Sequence, residues 1–443
     1  MTYNLTKGSV LKNLMFFSLP YLLSSFLQTF YGLADLFITG QYNGSASISA
    51  VSIGSQIMHM VTVIIVGLAM GTTVLISQAV GSDNKSGISR ITGNTITLFM
   101  GMSVVFTLVL VALRNQIIDI MLVPSEAVSE TRIYITICFL GIPFITAYNI
   151  ISCIFRGMGD SKSPMIFIGV ACVINIAIDY LMIGVLGMGA AGAAYGTVIS
   201  QTVSVVVALI SVLKKNMGIV LGRDDLVPDK KTIHKMLKIG VPVALQDGLI
   251  QVSFIVITII ANGRGLEVAT SVGIVEKIIG FLFLIPSAML SSVSAIAAQN
   301  VGAGETKRAR KTLWYATGIA VTCGLIFAVV CQFLAPQIIQ LFDDDSQVVK
   351  LGAQYLKTYV FDCSLAAVHF CFSGFFCAYG WSIISFIHNI ASIAIVRIPG
   401  AYLASKLYPD TLYEMGAAAP LGSLLSAIIC VSIYIVLRKK KKI

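Results

Sequence analysis

The stretch "YGLADLFITG", residues 31–40, closes a long apolar run and carries one carboxylate, Asp35. A carboxylate alone in apolar surroundings costs several kcal/mol or takes up a proton, so Asp35 needs a partner or a ligand. Gln28 lies seven residues earlier, two helical turns away, and shares its helix face. A second such run, "NIAIDYLMIG", sets Asn175 and Asp179 four apart on one face. The next run begins "GMGAAGAAYGTVIS". There Gly192 and Gly196 form GxxxG beside a second small stripe of Gly189, Ala193 and Thr197. Small residues let helix backbones approach closely. Close approach would bring Thr197 and exposed carbonyls toward a polar cluster. Asp35, Asn175, Asp179 and Thr197 are therefore expected to form one pocket. Two carboxylates in low dielectric do not both stay ionised without a cation, so the pocket should hold a proton or a small metal cation. The plainer alternative is that each polar residue is satisfied separately and ties helices together.

Other ionisable residues at apparent membrane depth are Asp247, the pair Glu276 and Lys277, Asp362, Arg397, His59, His369 and His388. Glu276 and Lys277 diverge around a helix and read as a local ion pair or anchor. Arg397 could hold a carboxylate such as Asp362, or extend its head toward water. His369 and His388 read as packed polar residues rather than metal ligands. Arg156, Asp160 and Lys162 read as a structural latch in a loop. No HExxH, G-x-S-x-G, aspartate-rich diphosphate motif or GxxxxGK[ST] is present, which argues against an enzyme and against direct ATP hydrolysis. The nine cysteines lie almost wholly in apolar runs and lack a CxxC pair, so they read as apolar fillers.

The elements that position these residues follow from composition. Of 443 residues, 57% are hydrophobic and 11% charged, against about 25% charged in a soluble domain. The fold expected is an all-α integral membrane protein with twelve spans: 14–38, 47–78, 91–112, 131–152, 162–184, 188–213, 236–261, 268–298, 312–334, 349–374, 381–404 and 416–437. The N-terminal run is read as an uncleaved first span. Alternate loops divide Lys and Arg unevenly: 22 of the 30 fall on the side of the N-terminus. Both termini are thus expected in the cytoplasm of a plasma (inner) membrane protein. The net charge of +10 suits a basic tail beside an anionic leaflet and needs no nucleic acid.

The chain also resembles itself at an offset of 221 residues: "NQII" falls on "PQII", Ser125 on Ser346, Val128 on Val349 and Gly159 on Gly380. Six spans per repeat give both halves the same topology, a parallel repeat related by a pseudo-twofold axis along the membrane normal, with substrate expected near the interface of the halves. The expected division is 1–213 for the N-terminal lobe, 214–235 for a cytoplasmic linker and 236–443 for the C-terminal lobe.

The stretches "LPYLLSSFLQTFYGLADLFITG", "FRGMGDSKSPM", "NIAIDYLMIGVLGMGAAGAAYGTVISQ" and "SAIAAQNVGAGETKRAR" resemble the multidrug and toxic compound extrusion (MATE) family over nearly the whole chain. That resemblance implies a secondary antiporter that exports cationic or amphipathic drugs against inward protons or sodium, with no cofactor, and working as a monomer. In the DinF-like subgroup it puts Asp35, Asn175, Asp179 and Thr197 on cation or proton positions, with Na+ as the metal if any. The Ala193 carbonyl lies nearby. Gln28, Tyr31, Gln246 and Gln251 are expected on the substrate cavity. In the NorM-like subgroup, acidic residues of spans 7 and 10 matter instead; here Ile250 and Gln251, and Ala366 and Ala367, stand near those positions. Asp247, Asp362 and Arg397 remain secondary candidates. A flippase or exporter for lipid-linked oligosaccharides or metabolites is the alternative; it needs a cationic cavity, for which Arg397 and Lys277 are the material.

Overall fold

The computed structural model describes residues 4–215, 221–440 and 443. Residues 216–220 of the expected linker, and Lys441 and Lys442 of the basic tail, lie outside the described residues. Among the described residues all regular structure is helical. The spans are α1 (Val10–Tyr42), α2 (Ser45–Gly81), α3 (Lys85–Ala112), α4 (Val128–Leu140 with Ile142–Gly157), α5 (Lys162–Val185), α6 (Gly189–Lys214), α7 (Lys230–Asn262), α8 (Leu266–Gly302), α9 (Thr306–Gln340), α10 (Ser346–Ala378), α11 (Ser382–Leu407) and α12 (Tyr413–Lys439). Eleven are long and apolar enough to cross a membrane alone, and α4 makes the twelfth if its two pieces count as one span.

The 47° bend in α4 has a local cause. Pro143 has no N–H to give the carbonyl of Phe139 four residues back. Thr107 of α3 supplies the missing donor, its hydroxyl 3.0 Å from that carbonyl. Helix starts are capped where the sequence turns polar. Asn84 accepts from Gly87 N at 2.9 Å, and Asp345 from Gln347 N and Val348 N at 2.8 and 3.1 Å. Asp160, in the expected latch, accepts from Ser163 N at 3.0 Å and Ser163 Oγ at 2.5 Å. Asp160, alone of the three expected latch residues, thus acts as a capping group at the start of α5.

Two compact units emerge, one essentially residues 19–240, the other 5–18 with 241–443. They differ from the expected lobes at both crossover points. The start of α7, residues 230–240, belongs to the first unit: Gly71 of α2 lies against the backbone of Met236, and Gly240 against that of Leu68. A Cβ at either glycine would collide with a carbonyl. The polar segment before α7 is also held there. Asn94 of α3 donates to Asp225 O at 3.2 Å and accepts from Asp229 N at 2.6 Å, and Thr97 donates to Leu226 O at 2.8 Å. Helix α7 therefore begins at Lys230, six residues before the expected span, because Asp229 caps it through Thr232. Residues 5–18 belong to the second unit, where Leu5 N donates to Gln299 Oε1 at 3.1 Å and Arg308 donates to Gly8 O at 2.9 Å.

Each unit repeats the other's bonds. Thr73 donates to Cys153 O at 3.2 Å in the first; Ser294 donates to Gly374 O at 3.3 Å in the second. Asp160 N bonds Phe155 O and Trp381 N bonds Phe376 O, both at 2.9 Å. All these pairs keep the offset read from the sequence.

Candidate functional site

Three helices of the first unit converge on Asp35. It is 2% exposed, and Asn175 and Asp179 are fully buried. Thr197 of α6 donates to Asp35 Oδ2 at 3.2 Å, while Thr39 occupies the Asp35 backbone carbonyl at 2.7 Å. Asp179 and Asn175 lie within interaction range of Asp35. Even so, Asp35 Oδ1, both oxygens of Asp179 and both polar atoms of the Asn175 amide close no hydrogen bond. The site therefore holds two adjacent buried carboxylates with three free oxygens, plus an amide able to orient either way.

The small stripe of α6 has a definite purpose here. Gly196 packs directly on Asp179: a Cβ there would overlap Asp179 Oδ1 and lie 3.4 Å from Asn175 Nδ2. Ala193, one turn earlier, is fully buried. Immediately after Asp179 the backbone widens into a π-helical turn, Tyr180–Val185, with Leu186 N bonding Leu181 O at 3.0 Å. Such turns lodge one extra residue and are frequent at functional sites. Half-buried Tyr31 sits one turn before Asp35, its hydroxyl 3.4 Å from Gln201 Nε2 and also near Gln28.

The other expected cavity residues, Gln246 and Gln251, belong to the second unit. Gln246 is buried and reaches half-buried Asp247 at 3.5 Å; Gln251 is half-buried.

The second unit has its own buried charges. Arg397 ends another π-helical turn, Ile393–Arg397 in α11. It donates to Tyr359 Oη at 2.5 Å, stands 4.0 Å from Asp362 Oδ2 and covers the Phe254 ring at 4.9 Å. Half-buried Glu276 accepts from Thr258 at 3.1 Å and lies within electrostatic range of Arg397, while its neighbour Lys277 is exposed. Glu276 thus turns toward the Arg397 cluster, where an anchoring role with Lys277 was the expectation. The cationic material on which a flippase reading depends is spread differently: Arg397 is already engaged, and Lys277 faces outward. His369 and His388, 19 positions apart, come together as a buried pair, a contact that spacing did not predict. Among the described residues no group of three or more His, Cys, Asp or Glu is arranged to hold a metal ion.

The MatE family model matches the chain twice, over residues 20–181 and 242–403, one match in each repeat. A probable multidrug resistance protein, YpnP of Bacillus subtilis, is 30% identical over 403 residues, covering 91% of this chain and 90% of its own. The multidrug export protein MepA of Staphylococcus haemolyticus is 26% identical over 91% of this chain and 88% of its own. Among solved structures, that of a MATE protein in a straight conformation superposes with a TM-score of 0.93 and 21% identity, covering 99% of both chains.

Proposed function

This chain belongs to the MatE family, and from that we propose that it exports organic cations or amphipathic compounds by antiport against protons or sodium, with Asp35 and Asp179 as the coupling groups. The observation that carries this reading is the pair of adjacent buried carboxylates with three oxygens free of hydrogen bonds. Two such groups repel one another when both are ionised, so the site gains strongly from one proton or one small cation. Asn175 and Thr197 add neutral oxygens of the kind Na+ accepts, and the carboxylates alone suffice for a proton. Occupation by the ion cancels the negative charge that would hold a cationic drug. Drug and ion therefore exclude one another, and alternating access turns that exclusion into exchange. A membrane potential adds about 2.3 kcal/mol per charge per 100 mV to the driving force. The relatives named as multidrug resistance and export proteins support the substrate class. The basic loops and tail support an orientation with both termini in the cytoplasm.

The test is export of a fluorescent lipophilic cation from vesicles under an imposed pH or sodium gradient. Asp35→Asn should abolish gradient-driven export while the protein stays folded and inserted. Normal export by that variant would make the carboxylate structural and overturn the assignment.

A further inference from the structure

The cluster around Asp35 has a counterpart position in the second repeat, and its chemistry there is different. Tyr180 and Leu181 stand 222 residues before Tyr402 and Leu403, the same offset as the two stretches matched by the MatE model. That is one residue more than the offset of the preceding loops, and the π-helical turn Ile393–Arg397 lodges the extra residue. At this spacing Asp35 corresponds to Ile257, Asn175 to Arg397 and Asp179 to Ala401. Ile257 is 2% exposed and Ala401 fully buried, both in the apolar core of the second unit. Hydrocarbon therefore stands at both carboxylate positions, and a guanidinium stands in register with the Asn175 amide.

The charge of Arg397 is met by carboxylates from other helices. Its head lies 4.0 Å from Asp362 Oδ2 of α10, donates to Tyr359 Oη at 2.5 Å and is in electrostatic range of Glu276 of α8. Tyr355 and His369 of α10 are the other ionisable groups within its range. Both oxygens of Asp362 and Oε1 of Glu276 are buried without a hydrogen bond, and so is Arg397 Nε. A pair that only tied helices together would close the two parallel N–H···O bonds that a guanidinium and a carboxylate favour. Here three buried carboxylate oxygens stay open, as three do around Asp35, and the compensating charge stands among them as an ion would.

We infer that Arg397 is a resident substitute for the exchanged ion: it keeps the carboxylates of the second unit permanently compensated, so that ion binding and release are confined to the first unit. A bound proton or sodium ion alters the charge of its site each time it arrives or leaves. A guanidinium on a side chain does neither, and it stays charged at every physiological pH. The second unit is thereby fixed in the charge state that the first reaches only when loaded. The inference rests on the reading of Asp35 and Asp179 as coupling groups and adds to it the residue that keeps the other half out of the exchange.

The test uses the full-length protein in detergent, its melting temperature read at about pH 6 and about pH 9, with and without sodium. Arg397→Gln leaves Asp362 and Glu276 needing a proton or a sodium ion. Its loss of melting temperature relative to the native chain should be larger at the higher pH without sodium by about 5 °C or more, the scale of breaking a buried ion pair. Adding Asp362→Asn should remove much of that difference, and Arg397→Lys should melt like the native chain throughout. A loss of equal size under all conditions, unrelieved by Asp362→Asn, would make Arg397 a packing element and overturn the inference; so would native melting of Arg397→Gln throughout. On a background of Asp35→Asn with Asp179→Asn, neither sodium nor the drop in pH should stabilise the chain until Arg397 is also replaced. Stabilisation of that background with Arg397 intact would put an ion in the second unit and overturn the inference. If Asp35→Asn exports normally while Arg397→Gln melts with the expected ion dependence, the coupling assignment falls and the resident charge stands.

Discussion

Gly196 shows how much of the candidate site depends on an absent atom. Its hydrogen lets α6 lie against Asp179, so the carboxylate stays beside Asp35 without the shell of donors that normally surrounds a buried charge. Gly196→Ala should therefore displace Asp179 and cost about 1–3 kcal/mol of packing energy, with gradient-driven export lost more severely than thermal stability. Vesicle assays and melting curves on the same preparation would compare the two. Full export by the alanine variant would mean that Asp179 tolerates displacement and is not positioned by that contact. At this scale the sequence was informative. The four-residue spacing of Asn175 and Asp179, and the small stripe around Thr197, pointed to residues that the structure does bring together with Asp35. The pairing of His369 with His388 was not legible, since it depends on how α10 and α11 face each other across a tight turn. Ser382, Ser385, His388, Asn389 and Ser392 are spaced for one helix face, but a polar stripe becomes informative only when its burial is known.

Among elements, the start of α7 illustrates where hydropathy stops being a guide. Residues 230–235, "KKTIHK", are polar but for Ile233 and fall in the expected linker, yet the capping of Thr232 by Asp229, at 3.1 Å from N and 2.6 Å from Oγ1, makes them helical. The same bonds to Thr232 hold the Asp229 carboxyl below the usual aspartate range. A depressed folded-state pKa stabilises the helix start above the unfolded value, and that contribution is lost as pH falls through the folded one. Acidification below the ordinary aspartate range, near pH 4, should fray the first turn of α7, visible as faster amide exchange at Thr232 and Ile233. Asp229→Ala should show the same fraying already at neutral pH. Equal exchange in variant and native protein would remove Asp229 as the cap. The π-helical turns beside Asp179 and Arg397 also escaped the sequence reading, because one extra residue in a turn leaves the hydropathy of a span unchanged.

For the molecule as a whole, the duplication was legible because it is written in residue types at constant spacing, and the structure keeps it in individual bonds. Thr73 with Cys153, and Ser294 with Gly374, are the same interhelical contact made once in each unit. Thr73→Ala and Ser294→Ala should each lower stability by about 0.6 kcal/mol, a typical value for a hydrogen bond between membrane helices, and their effects should add in the double variant. Marked non-additivity in unfolding measurements would show that the two units do not respond independently. Chain assignment to the units was less legible: that residues 5–18 group with the second unit follows from contacts 290 or more residues away, such as Leu5 with Gln299. The duplication is also unequal in one respect that matters in the laboratory. Both tryptophans belong to the second unit: Trp314 sits edge-on to Phe372 and Tyr434, and Trp381 stacks on Tyr379 at 5.4 Å. Ultraviolet emission excited at the indole edge is consequently a one-sided signal. It reports on the half that contains the histidine pair, and the first half, Asp35 included, carries no indole of its own.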